Sequence, residues 1–146
     1  MSTPEQNKET VRRFFEEVFK SKNLDFAREW IADDFVENQV FPGIPPDKEG
    51  AIKSFEMMLG GMPDIACEVL DIVASGDRVA SRAINRGTDT GGFMPGMPAT
   101  NKPFEMESID IMRFDDDGRV VEHWGIQDVM GAMGQLGLLP PPPEGS

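Results

Sequence analysis

The sequence predicts an α+β domain in which helices cover one face of a curved antiparallel sheet. Three stretches between residues 7 and 62 carry apolar residues at helical spacing, whereas four later segments between residues 64 and 128 alternate as strands do. Turn sequences at 75–78 and 115–118 link successive strands into hairpins. Helices that close a curved sheet leave a conical cavity, which is a common place for a ligand.

Apolar spacing and capping residues place three N-terminal helices. The first covers residues 7–23, with Ser2, Thr3 or Asn7 as its candidate cap. The second repeats the pattern over residues 24–38 and includes Trp30, which we expect in the helical core, and Phe35. A proline-rich break follows, and the third helix is expected over residues 47–62, from an aspartate cap to a Gly-Gly stop.

The segments 64–75, 78–90, 102–114 and 119–128 are expected to form four long strands. The loop at 91–103 presents Phe93, Met94 and Met97, which are candidates for a lid or for a dimer contact. Residues 129–139 form a weak helix or a coil. We expect one domain over residues 1–137 and an extended proline-rich tail over residues 138–146.

Composition excludes several classes of function. The chain has 14 basic and 26 acidic residues and a net charge of −12, which argues against binding nucleic acid or an anionic membrane surface. No apolar run is long enough to span a bilayer, and the polar N-terminus does not resemble a signal peptide. A single cysteine cannot form an internal disulfide, so we expect a cytoplasmic protein.

Metal and cofactor sites are poorly supported by the residues present. One histidine and one cysteine cannot build a common zinc site, and the acidic turn at 115–118 lacks the spacing of a calcium loop. The glycines at 91–96 lack the lysine of a phosphate-binding loop. We therefore expect neither metal nor cofactor, and we interpret Cys67 as a small buried residue.

The turn at 115–118 decides which side chains of the last two strands share a face. Alternation puts Trp124 and Asp128 on one face and His123 on the other, unless a bulge intervenes. A three-residue loop pairing Asp115 with Arg119 sets Asp110 opposite Trp124, whereas a two-residue turn sets Asp110 opposite His123. We favour the three-residue loop, because Gly118 suits a left-handed position, and so expect Asp110, Trp124 and Asp128 in the cavity.

Four stretches resemble the SnoaL-like polyketide (ester) cyclase family of the nuclear transport factor 2-like superfamily. They are "ADDFVEN", "GDRVASR", "RGTDTGGFMPGMPATNKP" and "IDIMRFDDDGRVVEHWGIQDVMGAMGQLG", and together they cover most of residues 8–137. The resemblance implies a cone-shaped α+β fold and an intramolecular aldol ring closure without metal or cofactor. It also implies a homodimer through the outer face of the sheet.

The resemblance places the general acid/base at Asp128, near the end of the last strand, and places Asn38 in the pocket. One carboxyl group in an apolar pocket can take up a proton and then release it. The alternative interpretation of Asp128 is the N-terminal cap of the following helix. The family frequently has histidine where this chain has Asp89, and aspartate-histidine where it has Glu37-Asn38.

Further residues complete the expected pocket. If the turn at 75–78 pairs Ser75 with Arg78, Arg82 lies opposite Asp71, where it forms either an ion pair or a guanidinium site in the cavity. We expect Asn85 on the other face. The other substrate-binding candidates are Asp110, Trp124, His123, Phe35, Phe93 and Met106.

The leading hypothesis is an enzyme that works through an enolate on a hydrophobic, polycyclic small molecule. One alternative is epoxide hydrolysis of the limonene type, with Asp110, Arg82 and Asp128 holding a water molecule. The other alternative is a cone that binds a small molecule without catalysis. The cavity discriminates among them, because a buried catalytic carboxyl favours an enzyme.

Overall fold

The computed structural model describes residues 2–93, 96–140 and 143–144. Within these described residues, four helices and five strands follow one another, and the first helix continues as a π-helical segment over Phe15–Lys20. The helices are α1 (Pro4–Phe14), α2 (Leu24–Trp30), α3 (Lys48–Gly61) and α4 (Val129–Gln135). The strands are β1 (Ile31–Glu37), β2 (Ala66–Ser75), β3 (Arg78–Thr88), β4 (Pro103–Phe114) and β5 (Val120–Gln127).

Local capping chemistry sets the helix starts. Thr3 caps α1 in a reciprocal capping box with Gln6. Asn23 accepts the N–H of Phe26 at the start of α2, and Asp47 accepts the N–H of Gly50 at the start of α3. The predicted aspartate cap and Gly-Gly stop of α3 are confirmed. After Phe14, the π-helical turn lets adjacent phenylalanines of this helix both be buried.

The sheet has the order β1-β5-β4-β3-β2, with β1 parallel to β5 and all other neighbours antiparallel. The predicted α+β fold is confirmed, and the sheet gains a fifth strand. The second helix was expected to continue to residue 38, but it ends at Trp30, and Ile31–Glu37 pairs with the edge of β5. β-Branched and aromatic residues favour a strand here, and β1 covers an edge that would otherwise be unpaired.

The helices cover one face of the sheet, which we call the inner face. The core between them includes Val11, Phe14, Val18, Trp30 and Phe35 from the N-terminal third of the chain, so the expected core position of Trp30 is confirmed. Val79, Ala83 and Met112 complete this core from the sheet. The opposite face of the sheet is the outer face, and side chains on it such as Val73 and Ile109 are exposed.

α4 packs on β4 and forms a second apolar cluster from Phe104, Ala132 and Leu136. Leu138 also packs on this cluster, so the packed part of the chain extends one residue beyond the predicted domain boundary. The expectation of an extended tail falls partly on residues 141, 142, 145 and 146, which lie outside the described residues. No helix of the described chain is both long and apolar enough to cross a membrane.

Candidate functional site

The β4–β5 hairpin begins as the sequence predicts. The Asp115 N–H donates to the carbonyl oxygen of Arg119 at 2.9 Å, and Gly118 has φ +79°, in the left-handed region. Phe114 pairs with Val120 as the first step of the ladder. The favoured three-residue loop is therefore confirmed.

A β-bulge then changes the register of this hairpin. Arg113 pairs with Glu122, which makes Val121 the extra residue of β5. The bulge lets Val120 and Val121, which are consecutive in the chain, both be buried. Because side chains alternate with period two, a slip of one residue turns every later side chain of β5 to the other face.

Because of the bulge, the side chains of β5 lie on the opposite faces of the sheet from those expected. Asp110 lies opposite Gly125, so the expectation that it lies opposite Trp124 is wrong, and the alternative that placed it opposite His123 is also wrong. His123 points to the inner face beside Asp110, whereas Trp124 points outward. The alternation itself was predicted correctly, but the two faces were exchanged.

His123 lies between two carboxylates on the inner face. Its Nδ1 is 2.6 Å from Glu37 Oε1, and its Nε2 is 2.8 Å from Asp110 Oδ1. The three side chains are 15%, 19% and 14% exposed for His123, Glu37 and Asp110. The cluster is therefore largely buried while keeping some access to solvent.

Backbone pairing fixes this cluster. Glu37 is the last residue of β1 and is the parallel partner of His123, and the N–H of Asn38 donates to the His123 carbonyl oxygen at 3.0 Å. Glu37 Oε1 also accepts the N–H of Gln39 at 2.9 Å. Strands on both sides of β5 thus each supply one carboxylate to the histidine.

Burial alone would lower the pKa of His123. The hydrogen bonds to Asp110 and Glu37 and their negative charges outweigh that effect and raise the pKa to about 9. At neutral pH the ring is an imidazolium that donates both of its N–H groups to carboxylates. Asp110 Oδ2 takes part in none of the hydrogen bonds of the described residues, so one carboxylate oxygen remains free beside this positive charge.

Gly125 lies against the cluster, where there is no room for a side chain. A Cβ at this residue would lie 2.5 Å from Gln39 Oε1, 2.9 Å from Asp110 Oδ1 and 2.9 Å from His123 Cε1. These distances are too short for a real Cβ. The three side chains therefore pack against the Gly125 backbone and fill the space that a Cβ would take.

The inner face around the cluster carries more polar groups. Ser81 lies opposite Asp110, is 3% exposed, and has a hydroxyl group without a hydrogen-bond partner among the described residues. Asn85 is also buried and donates to Ser108 Oγ at 3.2 Å. The expectation that Asn85 lies on the outer face is wrong, because the odd-numbered residues of β3 face the helices.

Cys67 is partly buried on the inner face of β2, as its interpretation as a small core residue requires. Burial and the negative charge of Asp110 raise the pKa of its thiol to about 12. The thiol is therefore neutral at physiological pH. In the described part of the chain, no group of histidine, cysteine, aspartate and glutamate side chains is arranged to hold a metal ion.

Asp128 caps a helix. Its Oδ1 accepts the N–H of Gly131 at 2.9 Å at the start of α4, and the residue is exposed. The expectation that Asp128 and Trp124 face the cavity is wrong, because the bulge turns this end of β5 outward. Trp124 stacks under the Arg78 guanidinium at 5.0 Å on the outer face.

Arg82 also lies on the outer face. The predicted ion pair with Asp71 is confirmed at 2.7 Å, and Arg82 makes a second one with Glu107 at 3.0 Å. These hydrogen bonds raise the pKa of Arg82. A guanidinium site in the cavity is therefore wrong for Arg82, and the Asp–Arg–Asp group of the epoxide hydrolase hypothesis is not assembled.

The remaining predicted residues divide among three places. Asn38 is exposed and donates to Glu122 Oε2 and to the His123 carbonyl oxygen, so it supports the cluster from outside. Phe35 is 5% exposed in the main core. Phe93 and Met106 pack on the second apolar cluster near α4, and Met94 lies outside the described residues.

A cleft of about 530 Å³ lies away from the His123 cluster, at the ends of β3 and β4. Arg86, Thr88, Phe104 and Glu105 line it together with Gln135 of α4. The Arg86 guanidinium is already held by Glu68 and Glu105 at 2.8 and 2.6 Å. The Arg86 cleft therefore offers no uncommitted acid/base group, whereas Asp110 in the His123 cluster keeps one carboxylate oxygen without a hydrogen bond among the described residues.

Sequence reasoning missed Glu37 and Gln39 as site residues. Glu37 ends the strand that was predicted as a helix and Gln39 follows shortly after it, so their position beside His123 depends on a long-range parallel pairing. The pair Val120-Val121 was the one local signal of the bulge, since two consecutive buried residues break strict strand alternation.

Solved structures with this architecture include proteins similar in sequence. IdmH of Streptomyces antibioticus, described as a candidate polyketide cyclase, is 38% identical, with 90% of this chain and 99% of that chain covered and a TM-score of 0.76. A candidate SnoaL-like polyketide cyclase of Jannaschia is 25% identical over 97% and 99% of the two chains, with a TM-score of 0.80. TsrD of Streptomyces laurentii, at 21% identity, 94% and 100% coverage and a TM-score of 0.83, shares the fold.

Curated proteins give no match to this chain. The curved, helix-covered sheet places the protein in the nuclear transport factor 2-like class. Residues 9–136 match the family described as SnoaL-like polyketide cyclase. The chain belongs to the SnoaL-like polyketide cyclase family, as the resemblance in its sequence predicted.

Proposed function

We propose that the chain is an enzyme that closes a ring by intramolecular aldol addition, with Asp110 as the acid/base and His123 as a fixed positive charge beside it. The observation that carries this proposal is the position of His123, 2.8 Å from Asp110 and 2.6 Å from Glu37 on the inner face. Family membership supports a hydrophobic, polyketide-like substrate. All proposed steps use side chains of the chain itself.

In the first step, Asp110 Oδ2 takes a proton from a carbon next to a carbonyl group. The electron pair of the C–H bond stays on the substrate, which becomes an enolate. The nearby imidazolium stabilises the negative charge of this enolate. The enolate carbon then attacks a second carbonyl carbon of the same molecule, so that a C–C bond forms and the attacked oxygen becomes an alkoxide. The carboxylic acid of Asp110 returns its proton to that alkoxide, and no proton or electron is gained or lost overall.

Glu37 has a supporting role in this scheme. It binds the His123 ring from the side opposite Asp110. Both N–H groups of the ring are then hydrogen-bonded, so the ring cannot rotate without breaking one of these bonds. Two carboxylates and one imidazolium give the cluster a net charge of −1 before substrate binds. The positive charge is thus fixed in place before the enolate forms. A charge that is positioned in advance needs no reorganisation during the reaction and therefore lowers the activation barrier.

Asp128, which the sequence resemblance proposed as the acid/base, serves as the comparison. The test measures exchange of the α-hydrogens of 2-tetralone, a bicyclic ketone, into D2O by NMR. We expect the wild type to accelerate exchange, Asp110→Asn to lose about 100-fold or more, and Asp128→Asn to stay within twofold of the wild type. Loss of exchange on Asp128→Asn with activity retained in Asp110→Asn would overturn the proposal.

The binding-only alternative has its own result in the same experiment. If 2-tetralone binds to the wild type without faster exchange, and the variants bind it equally well, the chain is a ligand-binding cone and Asp110 is not an acid/base.

We also propose a homodimer formed through the outer face of the sheet. Ile109 and Ile126 are direct partners on this face and are 52% and 79% exposed, and Val73 on β2 is 64% exposed on the same face. Trp124 lies among them. These side chains lie beside the Arg82 ion pairs on the same face, and covering exposed apolar side chains is a common reason for self-association. The proposed cytoplasmic location rests on the sequence alone.

A further inference from the structure

The Ser81 hydroxyl is a buried polar group without a structural role in the described chain. Ser81 lies on the inner face of β3 and is 3% exposed, and its Oγ has no hydrogen-bond partner among the described residues. Buried hydroxyl groups are nearly always hydrogen-bonded, because burial without a partner costs free energy. The stability of the chain therefore does not explain why a serine lies here.

Strand pairing leaves one polar side chain in register with this hydroxyl. On β2, Ser81 is paired with Ile72, which is apolar, and on β4 it is paired with Asp110. Directly paired residues point to the same face, and in an antiparallel ladder their Cβ atoms are about 4.5–5.5 Å apart. This separation lies within the combined reach of a serine hydroxyl and an aspartate carboxylate.

The two groups are also both uncommitted. Asp110 Oδ1 lies 2.8 Å from His123 Nε2, whereas Oδ2 takes part in none of the hydrogen bonds of the described residues. Ser108, which is 4% exposed on the inner face of β4, shows the contrast, because its hydroxyl accepts a hydrogen bond from Asn85 at 3.2 Å. A buried serine on this face can thus be satisfied by the fold, and Ser81 is not.

The two protonation states of Asp110 in the proposed reaction suggest a use for this hydroxyl. The His123 imidazolium is a partner for the carboxylate, but it has no lone pair with which to accept the O–H of the neutral acid. A serine hydroxyl can accept such a bond. Ser81 Oγ is therefore a candidate acceptor for the proton that Asp110 Oδ2 takes from the substrate.

We propose that Ser81 is a positioning residue, whose Oγ accepts a hydrogen bond from the Oδ2–H of Asp110 while this carboxyl group carries the substrate's proton. This inference rests on the proposed function. The bond forms when the proton arrives and breaks when the proton passes to the alkoxide, so the resting protein does not contain it. Between the two transfers, Ser81 holds the proton-carrying oxygen in one orientation.

The experiment measures exchange of the α-hydrogens of 2-tetralone in D2O at a series of ketone concentrations, together with urea unfolding. We expect Ser81→Ala to lower the rate constant at saturating ketone by about tenfold and to leave KM within about twofold of the wild type, because the lost bond exists only after proton transfer. Its free energy of unfolding should equal or exceed that of the wild type, since the resting protein loses no bond.

Ser108→Ala is the matched control, because it removes a hydroxyl of similar burial from the same face of the sheet. We expect the reverse pattern. The variant should be less stable, since the Asn85 amide loses an acceptor, and its exchange should stay within about twofold of the wild type.

A double variant shows whether the effect of Ser81 depends on Asp110. In the Asp110→Asn background, Ser81→Ala should change the residual exchange by less than about twofold, because no carboxyl group is left to carry the proton. An equal loss in both backgrounds, or an unchanged rate in Ser81→Ala alone, would overturn the inference. A slower rate accompanied by a loss of stability as large as that of Ser108→Ala would overturn it in favour of a structural role.

The wild type separates this inference from the proposed function. If the wild type does not accelerate exchange, the proposed function is wrong and the role of Ser81 falls with it. If the wild type accelerates exchange, Asp110→Asn abolishes it and Ser81→Ala does not slow it, the proposed function stands and only the role of Ser81 is wrong.

Discussion

Glu37 and His123 connect the parallel strands β1 and β5 in two ways, by pairing in the backbone ladder and by a contact between their side chains. The residues are direct partners in the β1–β5 ladder, and Glu37 Oε1 lies 2.6 Å from His123 Nδ1. β1 is the edge strand and makes its ladder with β5 only. The histidine therefore has a structural role in addition to its proposed role in the site.

Stability should fall at alkaline pH because of this histidine. Its pKa is about 9 in the folded chain and about 6.5 when unfolded, so its stabilising effect is complete below pH 6.5 and is lost as the pH rises to 9. The expected loss is on the order of 3 kcal/mol. Urea unfolding of the wild type and of His123→Gln at several pH values measures it. Parallel pH profiles of the two proteins between pH 6 and 9.5 would contradict this prediction.

Gly125→Ala should disrupt the site with a single methyl group. The added Cβ would overlap Gln39, Asp110 and His123, so at least one of these side chains must move. We expect a lower His123 pKa and loss of 2-tetralone exchange. Gly60→Ala is the control, because nothing lies within 4 Å of a Cβ there, and it should stabilise α3 by about 0.5–1 kcal/mol. Wild-type exchange in Gly125→Ala would show that the cluster tolerates rearrangement.

Asp128→Ala should behave as the loss of a helix cap. The Gly131 N–H loses its acceptor, so we expect a free energy of unfolding lower by about 1 kcal/mol, measured by urea denaturation. The His123 resonances should titrate as in the wild type, because Asp128 makes no contact with the cluster. A changed His123 pKa in this variant would contradict the separation of the two residues.

Ile126→Asp should separate the proposed dimer. Ile126 is 79% exposed opposite Ile109 on the outer face, and a charge there would be buried on association. We expect light scattering to show a monomer for this variant and a dimer for the wild type. Val40→Asp, which changes an apolar side chain 67% exposed in the segment after β1, should remain dimeric. A wild type that is monomeric at all concentrations would exclude the interface.

Local signals in the sequence predicted much of the fold. Capping residues such as Thr3 and Asp47, the Ser75–Arg78 turn and the left-handed Gly118 each depend on near neighbours in the chain. The Asp71–Arg82 ion pair followed from the turn alone. Each of these features is determined within a few residues or within one hairpin.

The site could not be predicted in the same way, because two non-local events assemble it. A single extra residue, Val121, exchanges the faces of β5 and brings His123 inside in place of Trp124. The parallel pairing of residues 31–37 with β5 then brings Glu37 to the histidine from a segment whose apolar spacing also fits a helix. Spacing within one strand carries no information about either event.

The most direct test of the proposed site is an NMR titration of the imidazole ring, which is unambiguous because His123 is the only histidine in the chain. The account predicts a pKa of about 9 in the wild type. It also predicts a clearly lower value in both Asp110→Asn and Glu37→Gln, since each removes one of the two negative partners. A wild-type pKa near the usual 6.5, unchanged in both variants, would show that the three residues do not form a cluster in solution and would contradict the proposed acid/base site.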